Sequence, residues 1–341
     1  IREKFNKNYF TQNFNVDGND IDHLEYTQIE SGVDLMVIEG DLFNYNTLIQ
    51  FISNQNINDL NTYTILESLM DVDSFIDHIF MTIYAANTSW EHNREWWRPR
   101  DESGRWQWLI VDLDRGFNMS NSTRNLVDDL LDEYELFKLL MSSQFFQNRF
   151  IQRSSAHINN TFHPLRIERI VDSLSNMIQG EIYRHIDKWS DVGGIESFSD
   201  WIDELNQIKQ FSIVRGDEVY DQLVDELDLD GTINIETNIT PHNSGDILFN
   251  GVIQFDDSFT SKYIKNTPLI IKAIAKPGYE FVAWENISDS SSISINCEND
   301  YNLTAVFQLS NDVVLSSVID QNTTLISSQN YVVENDLIIS N

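Results

Sequence analysis

An α+β protein with two textures is what the sequence predicts: a mainly helical first domain, then a small all-β domain. Three observations predict it. Apolar side chains recur at a near-helical spacing through much of residues 60–228. After Gly231 the pattern switches to short alternating runs. Between them lies an acidic linker, Asp225-Glu226-Leu227-Asp228-Leu229-Asp230-Gly231. The 341 residues carry 22 Lys+Arg against 54 Asp+Glu, a formal charge of −32. Such a charge repels phosphate backbones and anionic membrane surfaces, so nucleic acid is excluded as a partner. At 41% hydrophobic and 12% aromatic, the chain is too apolar for a disordered acidic tail. No apolar run approaches the ~18–20 residues of a membrane span. Cys297 stands alone, which rules out an internal disulfide framework and a multi-thiolate zinc site.

Taken in order, Ile65, Leu69, Val72, Phe75, Ile76, Ile79, Phe80 and Ile83 predict two helices over 60–86. The helices meet near Asp71-Val72-Asp73, where Asp71 caps the second. Trp96-Trp97-Arg98, the turn Asp101-Glu102-Ser103-Gly104 and Trp106-Gln107-Trp108-Leu109-Ile110-Val111 read as a hairpin. Helical patterns resume at 125–160, 164–189 and 198–228, with Pro164 in a first helical turn. The acidic run Asp128-Asp129 to Glu135 reads as a solvated helix start. In the β domain, expected over 231–308, Asn250-Gly251 and Pro277-Gly278 supply turns. Residues 309–341 read as the start of a further β-rich domain. The chain opens without Met or signal peptide and closes on a strand-like run, so an internal stretch of a longer protein is expected.

The chemistry-bearing segment is Asn87-Thr88-Ser89-Trp90-Glu91-His92-Asn93-Arg94, followed by Val111-Asp112-Leu113-Asp114-Arg115-Gly116-Phe117. Asp112 and Asp114, two apart on an expected strand, would point the same way. Paired carboxylates with an Asn93 oxygen suit Mg²⁺, which takes one or two carboxylates and completes its shell with phosphates and water. The alternative is a solvated strand cap. Trp90, Trp96, Trp97, Trp106 and Trp108 form either a carbohydrate-stacking face or, more simply, packing around the hairpin. His92 is a candidate base or a structural histidine. Arg98 either clamps a phosphate or makes an internal ion pair. His185 reads as structural.

The run from Asp71-Val72-Asp73-Ser74-Phe75 through Asp112-Leu113-Asp114-Arg115-Gly116-Phe117 resembles the spore-coat protein H (CotH) kinase-like family. The likeness extends to Phe145-Phe146-Gln147-Asn148-Arg149-Phe150, Asn159-Asn160-Thr161-Phe162 and Glu181-Ile182-Tyr183-Arg184, and back to Ile1-Arg2-Glu3-Lys4 as a strand end. It covers about residues 1–230. It implies a truncated, atypical protein-kinase-like domain moving phosphoryl from ATP to Ser or Thr with Mg²⁺, its ATP-binding lysine lying upstream. On that likeness Asp112 and Asp114 hold metal, Asn93 a second metal, and Asn93 and Arg98 the nucleotide. The family's catalytic Asp falls at Ser89, and Glu91 is the nearest replacement. Two expectations stand: a Mg²⁺/ATP-dependent kinase, or a catalytically inactive surface scaffold. The segment from Leu269 through Pro277-Gly278-Tyr279-Glu280-Phe281-Val282-Ala283-Trp284 to Leu303-Thr304-Ala305-Val306-Phe307 is similar to the internalin B-type repeat. The tail from Tyr331 to Ile339 resembles the opening coil of a parallel β-helix. Both likenesses imply a bacterial secreted or cell-surface protein with a protein substrate or surface partner.

Overall fold

The computed structural model describes residues 5–30, 32–102, 104–192, 194–310, 312–315, 318–319, 330–333 and 338–339. The expected strand end at residues 1–4 and Ser103 of the hairpin turn lie outside them. The chain divides into two units, one of residues 1–150 and 167–228, the other of 151–166 and 229–341. Residues 151–166, read with the helical domain from sequence, thus cluster with the strands.

In the first unit, α1 (Lys7–Phe14) precedes a hairpin of β1 (Ile21–Ile29) and β2 (Gly32–Glu39). Helices α2 (Phe43–Asn54), α3 (Leu60–Leu69) and α4 (Val72–Ala85) follow. Strands β3 (Arg94–Pro99) and β4 (Gln107–Leu109) complete an antiparallel sheet in the order β2-β1-β3-β4. Then come α5 (Leu126–Glu133), α6 (Glu135–Leu140), α7 (Gln144–Ala156), α8 (Pro164–Trp189) and α9 (Phe198–Glu226). A fully buried carboxylate, Asp22, ties the sheet to its loops. It accepts from Asp41 N at 3.1 Å, Asn44 Nδ2 at 2.9 Å and Arg100 Nε at 2.7 Å. Three charge-assisted or amide donors are what a buried carboxylate needs in place of water.

Between α3 and α4 the break falls where the sequence places it. Asp71 accepts from Ser74 N at 3.1 Å, satisfying a free amide at the start of α4. Helix α4 is the central element: Phe75, Ile76, Ile79 and Ile83 are fully buried along one stripe. Its Ser74 hydroxyl accepts from Trp108 N at 2.7 Å and lies 3.2 Å from Trp108 O, which fastens the helix to β4. Trp90, Trp96, Trp97, Trp106 and Trp108 are all buried, so the tryptophans pack the hairpin and offer no stacking face. The helical pattern at 125–160 resolves into three α-helices and a π-helical turn at His157–Thr161, with the chain turning at Tyr134 and again at Ser142-Ser143. Asp128 and Asp129 occupy the first turn of α5, which Asn125 caps.

Arg215, on α9, is fully buried between Phe211 and Val219. Its Nη2 donates to Ile83 O at 2.6 Å, its Nε to Tyr84 O at 3.0 Å and its Nη1 to Ser122 O at 2.7 Å. The last carbonyls of α4 therefore find donors where water is excluded. Burial pulls the guanidinium down to about 10, so it stays charged at neutral pH.

The second unit contains β5 (Thr232–Thr240), β6 (Gly245–Phe249), β7 (Val252–Ile253) and β8 (Ser258–Ile264). It continues with β9 (Leu269–Ala275), β10 (Tyr279–Trp284), β11 (Ser292–Ile295) and β12 (Tyr301–Leu309). Two sheets form, β10-β12-β5-β8 and β11-β9-β6-β7, antiparallel except for the β12–β5 pair. Burial alternates along β5 and β9, and the inward residues of both sheets share one core. Trp284 is fully buried in it, with Tyr279 and Phe281 packed against its edge. Asn250 and Gly251, both at positive φ, make the two-residue turn between β6 and β7. From the end of α7, Gln152 Nε2 donates to Ile264 O and Thr267 O, and Asn159 Oδ1 accepts from Lys262 N. These bonds explain why 151–166 belongs with the strands. Further on, 312–315 pairs in parallel with 330–333, and 318–319 with 338–339. Residues 334–337 of the coil read at 331–339 lie outside the described residues.

Replacing Arg215 with Met should lower stability by at least about 3 kcal/mol, because three buried carbonyls lose a charged donor. Arg215→Lys should fall between the two, since an ammonium cannot span all three. Urea unfolding at neutral pH measures both.

Candidate functional site

The site begins where α4 ends. Ala86 adopts a left-handed conformation, φ 50°, and its amide bonds back to Ile83 O at 3.1 Å. This turn delivers Asn87, a buried residue that bonds to both motif segments. Asn87 Oδ1 accepts from Ser89 N at 3.2 Å and from the Ser89 hydroxyl at 3.1 Å. Asn87 Nδ2 donates to Asp112 O at 3.4 Å. Asn93 Nδ2 donates in turn to Ser89 Oγ at 3.1 Å, leaving its Oδ1 as an acceptor. A continuous chain of hydrogen bonds thus links Asn93, Ser89, Asn87 and the Asp112 backbone. Spacing does not single out Asn87. The signal for it is its place two residues past the last residue of α4, where a short amide side chain can bond the local backbone.

The strand expected to carry Asp112 and Asp114 is shorter than the sequence implies. β4 stops at Leu109, whose carbonyl accepts from His78 Nδ1 of α4 at 3.0 Å. Ile110 and Val111 lie beyond it, and Asp112 sits at φ 49° in a loop. The expectation that strand alternation points both carboxylates the same way is therefore corrected. A turn from Leu113 to Gly116 follows, and Phe117 N donates to Ala85 O at 2.7 Å. Gly116 lets this loop approach the helix end: a Cβ there would stand 3.0 Å from Ala85 Cβ and 3.1 Å from its carbonyl. Asp112 is half-buried and Asp114 exposed.

Among the other candidates, Ser89 is buried and its hydroxyl is committed at both ends, while Glu91 is exposed. Arg94 Nε donates to Glu91 O at 3.1 Å, and its guanidinium lies over Tyr26, Tyr134 and Trp90 at 4.2, 4.4 and 5.4 Å. Arg98 donates to Pro99 O at 2.8 Å and Asp101 O at 3.0 Å, so its guanidinium serves the backbone of its own hairpin. Burial pushes its pKa down. His92 is half-buried and His185 exposed on α8.

Among the described residues, no group of three or more His, Cys, Asp or Glu could hold a metal ion. Asp112 and Asp114 lie on one loop and Asn93 is linked to it through Ser89 and Asn87; as hard-oxygen donors they fit Mg²⁺ only when phosphates and water complete the shell. Among the described residues, no helix is long and apolar enough to cross a membrane.

The model of the family described as CotH kinase protein matches residues 3–219. No curated protein matches the chain.

His78 is buried and its pKa is lowered to about 4, chiefly by desolvation. The unfolded chain takes up a proton near pH 6.5 that folded His78 refuses until about 4. Stability should therefore fall through that window on acidification and level off below it. Relative to His78→Asn, whose amide can still bond Leu109 O without titrating, wild type should lose about 3 kcal/mol between pH 7 and pH 4. Chemical unfolding of both proteins across that range checks it.

Proposed function

The chain belongs to the CotH kinase family, and on that premise we propose that its helical unit is a Mg²⁺/ATP-dependent phosphotransferase acting on Ser or Thr of a protein. The observation that supports this most is the hydrogen-bonded chain Asn93–Ser89–Asn87–Asp112. It draws the two motif segments to one helix end. Asp112, Asp114 and Asn93 would hold Mg²⁺, which neutralises phosphate charge when bound. The protein's own part is positioning. The Ala86 turn and Asn87 hold the 87–93 segment, and Gly116 seats the Asp112 loop. Arg98 is a weak nucleotide ligand on this reading, because two of its five N–H donors hold the guanidinium against its own hairpin. Glu91 is the better base, being an exposed carboxylate whose backbone is held by Arg94.

A second reading is favoured by Ser89. A buried hydroxyl donating to Asn87 Oδ1 cannot accept a substrate proton as a carboxylate does, and that favours a catalytically inactive scaffold. On either reading we take the β unit as an internalin B-type repeat that spaces or binds, in a protein exported to the bacterial surface.

Phosphate transfer from labelled ATP with Mg²⁺ to a generic acceptor such as casein tests the enzyme reading. Asp112→Ala should abolish transfer, and Glu91→Gln should lower it by about 10²–10⁴-fold if Glu91 is the base. Ser89→Asp brings a carboxylate against Asn87 Oδ1 and should cost about 1–3 kcal/mol of stability. A rise in transfer despite that cost would place the base at residue 89. If wild type neither transfers phosphate nor binds ATP with Mg²⁺, the scaffold reading stands.

A further inference from the structure

β2 is the outer strand of the first unit's sheet: among the described residues it pairs only with β1. Its other edge presents a row of backbone amides and carbonyls to a further strand. Edge strands are commonly guarded by Pro, by Lys or by short length, and the eight residues of β2 contain neither Pro nor Lys. Val33, Met36, Val37 and Ile38 are 38%, 42%, 41% and 45% exposed, so apolar side chains flank this open edge. The register sorts them. Val33, Leu35 and Val37 stand opposite Gln28, Tyr26 and Leu24 on one face of the sheet. Asp34 and Met36 stand opposite Thr27 and Glu25 on the other, and Glu25 in turn stands opposite Glu95. One face is mainly apolar and the other acidic. Across residues 21–39 there are five Asp or Glu and no Lys or Arg. Arg94, opposite Tyr26, belongs to the apolar face and lies over that ring.

We propose that this edge binds an extended basic segment of a partner protein, added as a further strand in which Lys or Arg alternates with apolar side chains. The alternation follows from the pleat. Side chains of an added strand fall by turns beside Val33, Leu35 and Val37 and beside Asp34 and Met36, next to Glu25. Main-chain bonds supply the affinity, and the acidic face selects the charge. A second copy of the chain is the poorer occupant, because it brings the same acidic strand and another charge of −32. β2 packs beside the Trp90–His92 turn that carries Glu91, so on the phosphotransfer reading the segment would belong to the acceptor protein. Binding itself does not depend on that reading.

Fluorescence anisotropy and hydrogen-exchange mass spectrometry on the full chain test it, with a labelled peptide of alternating Lys and Val as long as β2. A peptide of alternating Glu and Val tests the charge, and a Lys-Val peptide N-methylated at every residue tests the backbone bonds. The Lys-Val peptide should bind saturably and slow exchange at residues 32–39. Both controls should bind at least about tenfold more weakly. Asp34→Lys, at an exposed position, should weaken binding by about tenfold, and unchanged thermal unfolding shows that the fold is kept. No saturation overturns the proposal, as does binding that leaves residues 32–39 unprotected. Binding indifferent to Asp34→Lys, or equal for either control, overturns it too. So does a dimer, seen by sedimentation, that by itself protects residues 32–39, since a second copy then holds the edge.

Discussion

The last turn of α4 ends inside the protein, and a helix end in that position must find donors for its free carbonyls. Arg215 supplies them, donating to Ile83 O and Tyr84 O from α9 and to Ser122 O beyond the site loop. Everything at the candidate site hangs from this end: the Ala86 turn, Asn87, and the loop whose Phe117 amide bonds Ala85 O. One guanidinium thus sets the position of both motif segments relative to the sheet. Burial lowers its pKa, yet at about 10 the group remains a cation at neutral pH.

The other end of the site is fixed by the sheet. His78 and Ser74 reach from α4 to Leu109 and Trp108, so β4 cannot slide along the helix. Between these two anchors the Asp112 loop departs at positive φ, a backbone region that costs a non-glycine residue energy and is held only by its surroundings. With a chain charge of −32, the carboxylates of that loop gain from any cation that shields them.

Much of the framework was legible in the sequence because local chemistry decides it. The Asp71 cap, Pro164 opening α8 and the Asn250-Gly251 turn each depend on one or two side chains. The β1–β2 hairpin was not legible, since β2 is exposed over most of its length and β1 is buried as a block at its start, so neither strand carries alternation. The end of β4 was not either: Ile110 and Val111 extend the apolar run, yet the ladder to β3 ends at Leu109, whose carbonyl accepts from His78 of α4. Arg215 left one clue, a charge at the spacing of Phe211 and Val219 on an apolar stripe. At the site, the residue types were readable, but the role of Asn87 as the joint between segments depends on tertiary geometry.

The central claim, that the Asn93–Ser89–Asn87–Asp112 chain frames a metal–nucleotide site, is tested most directly without turnover. Mn²⁺ with a non-hydrolysable ATP analogue, added to the ¹⁵N-labelled protein, should broaden the side-chain amide signals of Asn93 and Asn87 by paramagnetic relaxation. Asp112→Asn should abolish the effect. Signals of Asn87 and Asn93 that stay sharp at saturating Mn²⁺ and nucleotide, or that broaden equally in Asp112→Asn, would contradict it.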